Sequence, residues 1–391
     1  MNVCAKPRGS GAPTKSLAWL RESPRRSLTR NPAFIILRSV SKSFRLTAWD
    51  CLQVLTKKFS DQQVRMVVEC DGRLDESRLA AAVRAAVKAE PILACHVRDG
   101  FFRPRWRVIP GFDPESLLRV LRVSDTAGEI ARLLDENLDP WRGPVVRIGL
   151  VRGEQDTLVV NLDHTVGDAA SVRSLTYLLA ARYNHPSRTS APELNAYFAK
   201  RGFRSLEPLM PCPDERKSRL APSGRTGPSW QFPWRLATSE FRKRFLVRRL
   251  APSQAEAVRR FAASQKAWPN DLFLAAYFRA LNLLFAGRNA GVPRLTVPID
   301  LRAYLPAAAR PRIANFSASF EVALEQGIGA SFEDTLKLVR EATGKEKQGR
   351  PGLRQAAALS SIADRVPFRI IQRRLEHRKI RVALPRPGSL L

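Results

Sequence analysis

The sequence predicts an α/β protein built as two lobes, with mixed sheets flanked by helices. Three observations carry this. Apolar runs of period two alternate with runs of helical period over residues 64–184, and the same alternation restarts over 241–346. Between the two halves, prolines recur at 186, 192, 208, 211, 213, 222, 228 and 233, with few periodic apolar residues, as in a long connection. A chain of 391 residues is too long for one ordinary core, and its 44% hydrophobic content supplies apolar material for two.

Taken in order, residues 1–31 are rich in Arg, Ser, Pro and Gly and contain one acid, Glu22; they read as a solvated, disordered basic arm. The N-terminal lobe spans 32–184. Val64–Cys70 is a β-branched run and reads as a strand. Asp75 is placed to cap a helix whose Leu79, Val83, Ala86 and Val87 share one face, and Pro91 stops it. Val146, Ile148 and Leu150 form one face of a strand. Residues 152–156 turn the chain, and Leu158, Val160 and Leu162 form the matching face of an antiparallel partner. After Asp168, the residues Val172, Leu175, Leu179 and Tyr183 run down a helix.

The Pro-rich connection covers 185–240, and the C-terminal lobe covers 241–391. That lobe reads as helices over Ser253–Lys266 and Asn270–Phe285, strands over Arg294–Asp300 and Asn315–Leu324, and a helix over Ser331–Glu346. The apolar run Leu272–Gly287 is interrupted by Arg279 and Asn282, so it reads as a buried helix and not a membrane span.

Charge and cysteines narrow the function classes. The net charge of +30 is concentrated in three segments, which carry +9 over 1–45, +8 over 201–250 and +9 over 344–391. The periodic, core-forming parts are therefore nearly neutral. No basic helix interleaved with aromatics accompanies the charge, which places nucleic-acid binding last among the readings. Cys4, Cys51, Cys70, Cys95 and Cys212 have neither metal nor redox spacing and read as free thiols of a reducing compartment, the cytoplasm.

The chemistry concentrates at Asn161–Ser171, NLDHTVGDAAS. One of only four histidines, His164, stands where a strand ends, four residues before Asp168 and three before Gly167. A strand exit into a Gly-containing turn presents a side chain on a rigid scaffold. A neutral imidazole is a natural general base for an alcohol or amine nucleophile near neutrality. Asp168 opens the following helix, where a carboxylate caps free N–H groups. A structural role, fixing the turn, suits it better than proton transfer.

With these residues in place, RGPVVRIGLVRGEQDTLVVNLDHTVGDAASVRSLTYLLAARYN resembles the central signature of the condensation-domain superfamily. That superfamily includes chloramphenicol acetyltransferase, peptide-synthetase condensation domains, BAHD acyltransferases and polyketide-associated acyltransferases. The motif in its looser form is His-x-x-x-Asp. GRLDESRLAAAVRAAVKAEPIL resembles the family's first helix, WPNDLFLAAYFRAL its second-lobe helix, and VPIDLRAYLP with NFSAS its Asp-Leu-Arg strand and the Asn-containing segment after it. Together these cover about residues 45–345.

The resemblance implies two chloramphenicol-acetyltransferase-like lobes with a tunnel between them. It implies that His164 takes a proton from a hydroxyl or amine that attacks an acyl thioester, carried by coenzyme A or by the phosphopantetheine arm of an acyl or peptidyl carrier protein. It also implies that Asp168 pairs with Arg302 and does not touch substrate. Asp163, Gly167 and Asn315 then fall at the turn or the tunnel. No metal and no cofactor beyond the donor thioester are expected, and the protein is expected to be a monomer acting on a small-molecule acceptor. Asp163 and Ala169 depart from the family pattern, replacing a histidine and a glycine. Family members continue with strand material after the helix near 352–369, whereas this sequence turns to Arg and Pro, so a shortened second lobe is expected. A non-catalytic, ligand- or partner-binding protein of the same fold is the alternative.

Overall fold

The computed structural model describes residues 43–57, 60–100, 102–186, 190–210, 245–284 and 291–377. The arm expected over 1–31 lies outside these residues, as do 187–189 and 211–240 of the connection and the basic end after 377.

In the first lobe a short strand, β1 (Ser43–Arg45), leads into α1 (Ala48–Thr56). Thr47 and Asp50 form a reciprocal cap at its start. The Asp50 N–H donates to the Thr47 hydroxyl at 3.1 Å, and the Thr47 N–H donates to the Asp50 carboxylate at 3.2 Å. There follow β2 (Gln63–Glu69), α2 (Glu76–Ala89), β3 (Cys95–Arg98), β4 (Arg105–Val108), β5 (Leu118–Arg122), α3 (Thr126–Asp135), β6 (Val146–Arg152), β7 (Thr157–Asp163), α4 (Ala169–Asn184) and α5 (Leu194–Lys200). One sheet has the order β1-β4-β3 and the other β2-β7-β6-β5, where β5 and β6 run parallel and the remaining pairs antiparallel. The capping expected of Asp75 is present, its side chain accepting the Arg78 N–H at 2.8 Å.

The face of β6 and β7 that the alternation marks is buried in a core with Val83 and Val87 of α2 and Val172, Leu175 and Leu179 of α4. The opposite face is buried too. Val151 and Val159 pack with Leu133 and Leu134 of α3 in a second cluster. Gly149 makes room there, because a Cβ on it would lie 2.5 Å from Leu133 Cδ1. The pair is thus a central ribbon covered on both sides, and each fully buried Leu or Val contributes about 1.5–3 kcal/mol.

The second lobe contains α6 (Pro252–Ser264), α7 (Pro269–Leu284), β8 (Arg294–Asp300), β9 (Ser317–Ala323), α8 (Phe332–Gln348), α9 (Leu353–Arg365) and α10 (Phe368–His377). The antiparallel β8 and β9 pack with Leu274, Ala275 and Phe278 of α7 and Leu336 and Val339 of α8. A third cluster joins the halves of the chain: Trp49 of α1 and Leu206 meet Leu301, Phe316, Ala318, Leu353 and Ala356. The chain then returns to the first lobe, where Phe368 enters the main core and its N–H donates to the Phe102 carbonyl at 2.9 Å.

Within the stretch expected as connection, α5 and a 3-10 turn over Phe203–Leu209 are packed elements. The Phe198 ring stacks on Phe44 with centroids 3.9 Å apart, and Leu206 is fully buried. Proline frequency describes the composition here, but two or three aromatic anchors decide the packing.

Candidate active site at the junction of the two lobes

The site is built from the exit of β7. The Asp163 carboxylate accepts the Thr165 N–H at 2.9 Å, and the Val166 N–H donates to the Asp163 carbonyl at 2.9 Å. This is an Asx turn, the conformation a short acidic side chain favours. The other Asp163 oxygen is fully buried against the Lys57 ammonium and takes the Gln63 amide at 3.2 Å. Asp163, standing at the departure from the family motif, is therefore committed to shaping the turn. His164 sits on that turn, half-buried, its N–H donating to the Gln62 carbonyl at 2.9 Å. Gly167 permits the close return of the chain, since a Cβ there would lie 2.6 Å from both Cβ and Oγ of Ser171. Ala169 is exposed at the first position of α4, so its methyl points out of this packing.

Asp168 fills two roles at once. Its Oδ1 accepts the Ser171 N–H at 3.0 Å and the Ser171 hydroxyl at 2.9 Å, which caps α4. Its Oδ2 accepts Arg302 Nη1 at 2.9 Å and the Phe316 N–H at 2.8 Å, both from the other lobe. Burial pushes the Asp168 carboxyl up. The charge and hydrogen bond of Arg302, with the Phe316 and Ser171 donors, outweigh that and hold it below its ordinary value. For Arg302 burial opposes the charge, while Asp168 and then Asp300 raise its pKa. Arg302 is 7% exposed, buried and not a surface residue. It also donates to the carbonyls of Pro311 at 2.8 Å and Ala314 at 2.6 Å and to Ser171 Oγ at 3.1 Å.

Asn315 completes the junction. Its Oδ1 lies 3.2 Å from His164 Nδ1, and its Nδ2 donates to Asp50 Oδ1 and to the Thr165 carbonyl, each at 3.0 Å. Asp50 is fully buried. Its Oδ2 accepts the Trp106 indole N–H at 3.0 Å and Arg201 Nη2 at 3.4 Å. Arg201, 2% exposed, also donates to the carbonyls of Ile313 at 2.5 Å and Val166 at 3.0 Å. The segment 311–316 is thus held through its carbonyls by two buried guanidinium groups.

His164, Asp163, Gly167, Asp168, Arg302 and Asn315, all singled out in the sequence, meet at this one seam. Asp50, Arg201 and Ser171 were not singled out. The Thr-x-x-Asp pattern at 47–50 is a capping signature that could have flagged Asp50 as ordered. Arg201 sits in a basic, Pro-rich stretch and carries no signal. A surface cleft of about 480 Å³ between α7 and α8, lined by Lys266, Trp268, Lys337 and Arg340 among others, holds none of these residues.

Among the described residues no cluster of His, Cys, Asp and Glu is arranged to hold a metal. The buried thiols of Cys51 and Cys95 are pushed up to about 12, chiefly by burial, which keeps them protonated and non-nucleophilic near neutrality.

Solved structures of the same architecture include the first condensation domain of the calcium-dependent antibiotic synthetase, in complex with a substrate analogue. It is 18% identical, covers 86% of this chain and 78% of its own, and superposes with a TM-score of 0.60. The epimerization domain from the third module of tyrocidine synthetase B is 16% identical over 84% of this chain and 75% of its own, with a TM-score of 0.61. The chain has the condensation-domain fold. Curated proteins are similar to the chain in sequence as well. An uncharacterized protein of Mycobacterium tuberculosis is 26% identical over 333 residues, covering 79% of this chain and 73% of the relative. A pyochelin synthetase of Pseudomonas aeruginosa is 27% identical over 311 residues, covering 71% of this chain but 21% of that much longer protein. No family model matches the chain. No helix among the described residues is long and apolar enough to cross a membrane.

Proposed function

We propose that this protein is a condensation-type acyltransferase, moving an acyl group from a thioester to a hydroxyl or amine acceptor. The observation that supports the reading most directly is His164. It is held on a strand-exit turn at the junction of the lobes, with Nδ1 engaged by Asn315 and Nε2 without a protein partner among the described residues. As general base, His164 takes the acceptor's proton while the acceptor oxygen or nitrogen attacks the thioester carbonyl. The tetrahedral adduct then collapses with cleavage of the C–S bond, and the thiolate leaves carrying the electron pair. Asp168 and Arg302 hold the turn and stay away from the reacting atoms.

A tunnel between the lobes would admit the donor from one side and the acceptor from the other. The relationship to a pyochelin synthetase favours a phosphopantetheine arm on an acyl or peptidyl carrier protein as donor, with acyl-CoA as the simpler substitute. Free thiols at Cys51, Cys70 and Cys95 suit a reducing compartment, the cytoplasm.

The test is thiol release from acetyl- and octanoyl-CoA and the matching acyl-pantetheines, with a panel of amines and alcohols as acceptors. His164→Ala is expected to lower turnover by roughly 10²–10⁴-fold, the usual contribution of a general base, with an unchanged unfolding midpoint. Release that persists in His164→Ala overturns the catalytic role. Binding of these thioesters without any His164-dependent release identifies the non-catalytic alternative.

A further inference from the structure

The geometry points to Asp50 as a positioning residue that sets the tautomer of His164 through Asn315. An asparagine side chain offers one acceptor oxygen and two N–H donors. Both N–H groups of Asn315 are spent on acceptors that cannot donate, Asp50 Oδ1 and the Thr165 carbonyl, each at 3.0 Å. That choice of partners fixes which end of the amide faces the imidazole. The oxygen faces His164 Nδ1 at 3.2 Å. A lone pair opposite Nδ1 demands the ring hydrogen on Nδ1, so the neutral ring carries its free lone pair on Nε2.

The reverse arrangement is penalised at two places at once. Turning the amide over would set its oxygen against the Asp50 carboxylate and the Thr165 carbonyl, and its NH₂ against Nδ1. The ring would then have to carry its hydrogen on Nε2, where the base needs a lone pair. Asp50 cannot swing aside to relieve the conflict. It is fully buried and pinned by the Trp106 indole at 3.0 Å, Arg201 at 3.4 Å and the Thr47 N–H at 3.2 Å. The same count assigns Asn315 its part. With both hydrogens engaged, it has none to offer a reacting carbonyl oxygen, so it orients the ring and does not stabilise an oxyanion.

The activity arm of the test rests on the reading of His164 as base; the spectroscopic arm does not. Protein labelled with ¹⁵N-histidine is examined by NMR at a pH well above the ordinary imidazole value of about 6.5, with the His164 signals assigned from His164→Ala. The wild type is expected to show His164 as the Nδ1–H tautomer. Asp50→Asn replaces an obligate acceptor by a group that can donate, and Asn315→Leu removes the relay without touching Asp50. Each is expected to shift the ring towards Nε2–H and to lower kcat by up to the roughly 10²–10⁴-fold that a general base contributes, while KM for the thioester changes little.

Should Asp50→Asn fail to fold because Arg201 loses its partner, Asn315→Leu carries the same readout. A wild-type Nε2–H tautomer, or an Nδ1–H tautomer that survives in Asn315→Leu, overturns the inference. An Nδ1–H tautomer that is lost in the variants, in a protein that releases no thiol from any thioester, upholds the positioning and removes the acyltransferase reading instead.

Discussion

Two buried carboxylate–guanidinium contacts lie on either side of His164, and they are built differently. Asp168 and Arg302 meet at 2.9 Å across the lobes, and both Asp168 oxygens are further occupied by donors from the turn and from Phe316. Asp50 and Arg201 approach only to 3.4 Å, and Arg201 spends its shorter bonds on the Ile313 and Val166 carbonyls. The first contact is a closed clamp, in which both carboxylate oxygens are taken up by Arg302, Ser171 and Phe316. The second is an open one: Asp50 keeps one oxygen for Asn315, and through it for the imidazole. A buried ion pair therefore need not be only a stability element. What matters is whether its carboxylate is saturated within the clamp or passes a hydrogen bond on.

The largest effect expected from breaking the comparison falls on the closed clamp. Removing Arg302 leaves the buried Asp168 charge uncompensated, at a cost of about 3–5 kcal/mol, whereas removing Asp168 leaves Arg302 paired with Asp300 at 3.0 Å and should cost less. Asp168→Asn and Arg302→Met are expected to lower the urea midpoint and the activity together, and the double variant should lose less than the sum of the singles. Strict additivity in that cycle would show that the two side chains stabilise the fold independently.

Acid sharpens the same contrast. The folded Asp168 carboxyl lies below its ordinary value because Arg302 and the N–H donors outweigh its burial. Its contribution is therefore present above the unfolded carboxylate value, about 3.9, and is lost as pH falls through the lower folded value. The stability gap between wild type and Asp168→Asn, followed by urea unfolding, should be constant near neutrality and narrow only below that unfolded value. A gap that narrows already at mildly acidic pH contradicts the depressed carboxyl.

The smallest effect belongs to Ala169, which departs from the family pattern but points outward. Ala169→Gly should change stability by no more than about 1 kcal/mol and leave kcat and KM as they are. A clear rise in kcat would show that the methyl obstructs the site after all.

How much of this was legible in the sequence depends on whether a residue's neighbours in the chain are also its partners. His164, Gly167 and Asp168 form a local motif, and the apolar periods around them define β6, β7 and α4. Arg302 was reached through the segment after β8, although composition alone would leave it on the surface. Asp50 was missed because its local reading is already complete: as the third residue of α1 it closes a capping box with Thr47. Nothing nearby indicates that its other oxygen meets Asn315, 265 positions away. Arg201 was lost among the cations of a Pro-rich stretch, where an arginine in water and an arginine under a seam have the same local sequence. The second face of β6 and β7 was missed for a related reason, because alternation records one covered side and the cover on the other comes from α3.

The seam also orders events in time. Its bonds join residues 112, 134 and 265 positions apart, Arg201 to Ile313, Asp168 to Arg302 and Asp50 to Asn315. Contacts of such separation form late, because the entropy of closing long loops must be met before they give any return. The helices and the β6–β7 ribbon can form from neighbours along the chain, but the imidazole gains its fixed orientation only when 311–316 docks between the two arginines. A partly folded chain thus carries the histidine without the relay that readies it. Under the proposed acyltransferase reading, His164 would become competent only with that last docking, so unfinished molecules would not spend activated acyl groups on water.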